Sequence, residues 1–152
     1  YAPACFNMYR RDFLLQNELF FKVGIYFEDM QMLPRVFLAA QKIACIDGVF
    51  YHYVVRDNSI MTSKKDIKKQ SDSIQNLREW KEQFDHVQDA KLRKILYGML
   101  VKCYLHECRV YGITKWEIDG VDFKFVVNNS LNFKEKIKGL LFALLPKCYV
   151  RV

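Results

Sequence analysis

No stretch of this chain approaches the roughly 18 uncharged apolar residues that a bilayer-crossing helix requires. The longest apolar run, residues 139–146, is far too short. No charged segment followed by an apolar stretch opens the sequence, so it shows no signal peptide. It starts at Tyr1 without an initiator Met, which reads as a fragment of something longer. Internal repeats and low-complexity tracts are absent, and no nucleic-acid-binding motif is found. A disulfide framework is also excluded: the five cysteines (Cys5, Cys45, Cys103, Cys108 and Cys148) are odd in number and scattered. They are expected to be reduced, mostly buried thiols of a cytoplasmic protein, which could be peripheral at the inner face of the membrane.

What is present suits a folded domain. Of 152 residues, 51% are apolar and 15% aromatic, enough for a packed core. Lysine and arginine outnumber acidic residues 24 to 17, for a formal charge of +7. That surplus suits an anionic partner (a nucleotide-sugar phosphate, a lipid surface or a nucleic acid) without choosing among them.

Apolar spacing predicts a short helix over about residues 10–17. A second is expected from Asp29 to about Gln41, with Asp29 as N-cap and Pro34 near its start. Two β-rich runs, residues 42–46 and 49–55, flank Asp47-Gly48, a pair that favours a tight β-hairpin turn. His52 alternates with Phe50 and Val54 on the second run, which predicts a buried histidine. Beyond residue 63 the pattern is helical. One helix is expected to about Asp85, with Ile67, Ser71, Ile74, Leu77, Lys81 and Phe84 on one stripe. Another runs from Ala90 to about Tyr111, stopped by Gly112. Residues 116–127 fit either a strand or a short helix, and a last helix runs from Phe133 to about Leu145.

Three segments of the first 63 residues carry a resemblance: Asn7-Met8-Tyr9-Arg10-Arg11-Asp12-Phe13-Leu14, residues 20–29 (FFKVGIYFED), and residues 46–62 with Tyr51-His52-Tyr53, Arg56 and Ser59. In that order they resemble the second half of the catalytic domain of bacterial family 2 glycosyltransferases that build surface polysaccharides. The resemblance implies a helix-rich α+β fold: the C-terminal half of a GT-A domain over residues 1–63, hairpin included, then a helical extension over 64–152. It further implies a nucleotide-sugar donor, a saccharide or lipid-linked acceptor, and a divalent metal (Mg or Mn) whose ligands lie mostly outside this chain. Asp29 matches the family's catalytic base and Glu28 an acceptor-binding group, while Arg56 and Ser59 match the loop near the donor diphosphate. The family's uridine-binding aspartate and Asp-x-Asp motif are absent, so transfer is not expected from this chain alone.

The chemistry agrees with those residue types. An acceptor hydroxyl is a poor nucleophile, and a carboxylate within reach can take its proton as the new bond forms. Asp29 could equally be only a helix cap, and Arg56 and Ser59 only a solvated arginine and a turn serine. Cys103, His106 and Cys108 have near-ligand spacing but lack a fourth ligand, and read as core cysteines. In the last helix, Lys134, Lys136, Lys138 and Lys147 accompany Ile137, Leu140, Leu141, Phe142, Leu144 and Leu145. That composition suits contact of residues 133–152 with an anionic membrane surface, or packing on the preceding helices. A basic helical module binding nucleic acid or such a membrane is the alternative to the enzyme reading; the dispersed basic residues argue against nucleic acid.

Overall fold

The computed structural model describes residues 3–55, Asp57 and 66–151. A 3₁₀ turn at Ala4–Phe6 precedes seven helices: α1 (Arg11–Gln16), α2 (Glu28–Ala39), α3 (Ile67–Asp85), α4 (Ala90–Tyr111), α5 (Phe123–Asn129), α6 (Phe133–Leu144) and α7 (Pro146–Tyr149).

No strand occurs among the described residues, so the expected α+β fold, a GT-A half-domain with a β-hairpin, is corrected to an all-helical one. Residues 42–55 are irregular and exposed, His52 included. Their local preference for a hairpin is real, but an isolated pair of strands is marginal without a third strand or a helix to cover its apolar face. Here Phe6 packs edge-on with Tyr51 and Tyr53 and Cys5 hydrogen-bonds with Tyr51, which covers little of the apolar surface. Val49 and Phe50 remain 89% and 77% exposed.

Four of the described helices begin where their first-turn amides find a side-chain acceptor. Asp66, Asp89, Asp122 and Asn132 each take amide protons from the turn they precede, opening α3, α4, α5 and α6. Gly112 closes α4 in the left-handed conformation, φ 71°. Residues 123–129 resolve as helix rather than strand. Pro146, expected only as a stop, also occupies the first position of α7, where its missing amide costs nothing.

The main core joins α3 and α4 through Leu77, Phe84, Leu100, Tyr104 and Cys108, closed by Val126 of α5, Phe142 of α6 and Tyr149 of α7. A smaller cluster of Leu19, Met32 and Val36 packs α1 against α2. The buried face of α3 is not the stripe expected. Ile67 and Ser71 are exposed, whereas Lys69, Ser73, Asn76 and Trp80 are buried with Ile74, Leu77 and Phe84. The cysteines also depart from expectation: Cys5, Cys45 and Cys148 are exposed, and only Cys108 is fully buried. Burial pushes the Cys108 thiol up to about 12, which suits an inert core residue.

Candidate functional site

The Glu28-Asp29 pair occupies the first turn of α2, and the chain reaches it through a turn fixed by α3. At Gly24, φ is 80°, a left-handed geometry that glycine adopts freely; its carbonyl accepts from Lys68 Nζ at 2.8 Å. The Tyr26 amide donates to Asp72 at 2.8 Å. Asn76 Nδ2 donates to the Phe27 carbonyl at 3.0 Å and, more weakly, to that of Tyr26. Gln31 and Lys22 both donate to Glu79.

Pro34 completes the arrangement. In an α-helix the amide at position 34 would donate to the carbonyl of residue 30, and proline has none to give. The Met30 carbonyl instead accepts from the indole of Trp80 at 2.8 Å. Lys68, Asp72, Asn76, Glu79 and Trp80 recur three or four residues apart, so a single face of α3 holds the whole segment.

Phe27 caps α2 with φ 60° and no side-chain acceptor. The left-handed region is uncommon for a bulky residue. Its ring packs against the main core, and its carbonyl is held by Asn76, which together offset the strain. Asp29 is therefore not the N-cap expected from sequence. It lies inside the first turn, half-buried, with its Oδ1 accepting the Met30 amide at 2.8 Å. Glu28 is exposed. Both carboxylates stand in the first turn of α2, near the positive end of the helix dipole. Burial, reinforced by the charge of Asp29, pushes the neighbouring Tyr9 phenol above its ordinary range.

A cavity of about 400 Å³ lies beside this turn. Phe27 and Met30 form one side of it, and α4 and α6 supply Glu107 and Glu135. Ser73 Oγ donates to Glu107 at 2.7 Å. Glu135 is buried, with one carboxylate oxygen lacking a partner among the described residues. Neither Glu28 nor Asp29 lines the cavity, so the expected pair and this pocket are separate features. Sequence reading missed both glutamates, and no spacing in the chain marks them.

Arg56 and Ser59 lie outside the described residues. Among the described residues no three His, Cys, Asp or Glu side chains gather to hold a metal ion. The divalent metal implied by the resemblance finds no ligand set among those residues. Of Cys103, His106 and Cys108, His106 is exposed, Cys103 half-buried and Cys108 in the core. No described helix is long and apolar enough to cross a membrane. No protein-family model, curated protein or solved structure matches the chain.

Proposed function

We propose that this chain forms the acceptor side of an inverting glycosyltransferase, with Asp29 as general base and Glu28 as a hydrogen-bond acceptor for sugar hydroxyls. The donor is a nucleoside-diphosphate sugar, and the acceptor a saccharide or lipid-linked sugar of surface-polysaccharide synthesis. One observation carries the reading. A pair of carboxylates, Glu28 exposed and Asp29 half-exposed, sits on a helix turn that buried groups of α3 hold in place. The three ordered segments that resemble family 2 enzymes support it.

In the displacement, the acceptor oxygen bonds to the anomeric carbon while the bond from that carbon to the diphosphate oxygen breaks. The bonding pair leaves with the nucleoside diphosphate, and the configuration inverts. The hydroxyl proton passes to the Asp29 carboxylate as the new bond forms. A rigid turn keeps the carboxylate from having to reorganise during reaction. Donor binding belongs to a portion these residues do not supply.

The test is acceptor-dependent release of nucleoside diphosphate by the intact enzyme, with Glu28→Gln beside wild type. Loss of one hydrogen bond of about 1 kcal/mol should raise the acceptor KM roughly five-fold and leave kcat nearly unchanged. If no nucleotide sugar gives acceptor-dependent release, the reading fails.

A further inference from the structure

α6 has two apolar faces, and among the described residues only one of them is buried in the bundle. Gly139 and Phe142 are buried against the bundle together with Glu135. Phe142 packs edge-on to Trp116, Tyr104 and Tyr149. At 100° per residue, Phe133, Ile137, Leu140 and Leu144 fall within a narrow stripe on the opposite side of the helix. These four are 76%, 49%, 45% and 69% exposed. Lys134 and Lys138 flank the stripe on one edge and Lys136 on the other, all exposed, with exposed Lys147 just beyond the helix end.

A helix that is apolar on its outer face as well as its inner one needs a second apolar medium. The flanking lysines define its chemistry. Four cations and no exposed acid on α6 or α7 would repel a basic surface and attract an anionic one. We infer that the outer face of α6 lies flat on an anionic phospholipid surface, with Phe133, Ile137, Leu140 and Leu144 among the acyl chains and the lysines at the phosphates. The helix runs parallel to the bilayer plane, as a short amphipathic segment with cationic edges does. The charge of the whole chain, +7, reinforces the attraction.

The test is flotation of the full chain with phosphatidylcholine vesicles that either contain or lack phosphatidylglycerol. Wild type should float with the anionic vesicles and stay behind with the neutral ones, and added salt should release it. Ile137→Ser combined with Leu144→Ser should reduce binding by at least about ten-fold, since each buried aliphatic side chain contributes more than that alone. Lys134→Ala and Lys136→Ala should each weaken it on the order of five-fold. All four positions are exposed, so circular dichroism and the melting temperature should stay as in wild type, separating lost binding from lost folding. Failure to float, equal binding to both vesicles, or binding that survives the double serine variant overturns the inference. So does a dimer, seen by light scattering, that the double serine variant dissolves, because the stripe would then be covered by a second copy of the chain.

Discussion

At Phe27 the backbone holds a left-handed conformation that a non-glycine residue adopts only under constraint, and the buried Asn76 amide is the constraint. Asn76→Ala leaves the Phe27 carbonyl without its donor and should cost about 1–3 kcal/mol, read as a lower denaturation midpoint in urea. An unchanged midpoint would show that the turn does not depend on that bond. At this scale the place of Glu28-Asp29 at the start of α2 is legible in the sequence, because an acidic pair opening an apolar helix is a strong local sign, but the cap itself is Phe27 and not Asp29. Asn76, Ser73 and Trp80 are not legible. A stripe counted from apolar side chains passes over polar residues that are buried only because they satisfy carbonyls and carboxylates on other elements. Pro34 belongs to the same lesson: its partner, Trp80, lies 46 residues further along.

Among the elements, helix crossings are governed by small residues that a propensity argument undervalues. Gly139 sits inside α6, where alanine ordinarily gains about 1 kcal/mol. A Cβ there would stand 2.3 Å from Val126 Cγ1, and a β-branched valine on a helix has little rotamer freedom with which to retreat. Gly139→Ala should therefore destabilise by about 1–3 kcal/mol, measured by thermal melting, and pairing it with Val126→Ala should recover part of the loss. A stabilised Gly139→Ala would contradict the close packing of α5 on α6. Five of the helices are readable from spacing, capping residues and stop signals; residues 116–127 fit strand and helix alike, and α7 has no sign of its own beyond Pro146. The hairpin failed because Asp47-Gly48 reports only a local turn preference, whereas a sheet requires partners that no short stretch encodes. In α6 the composition was legible but not its division into inner and outer faces, since which leucines meet the core depends on where α5 and α7 lie.

For the molecule as a whole, residues 22–31 are held to α3 in part by ionised groups, Asp72 and Glu79, which makes the joint sensitive to acid. Burial pushes the carboxyls of Asp72 and Glu79 up, but Lys68 and the Tyr26 amide at the first, and Lys22 and Gln31 at the second, outweigh it and hold both below their ordinary range. Groups depressed in the folded state add stability that is present above their unfolded values, about pH 4, and is lost as pH falls through the folded ones. Hydrogen-exchange protection of residues 22–31 should accordingly fall in acid before that of the α3–α4 core. Simultaneous loss would mean that the joint is not the weaker part. The proposed transfer chemistry rests on one carboxylate, Asp29, on that held turn. Sugar transfer by the intact enzyme carrying Asp29→Asn, with donor affinity measured alongside, tests it most directly. The predicted result is a fall in kcat of about 10²-fold or more with donor binding near normal, whereas wild-type turnover by that variant would contradict the account.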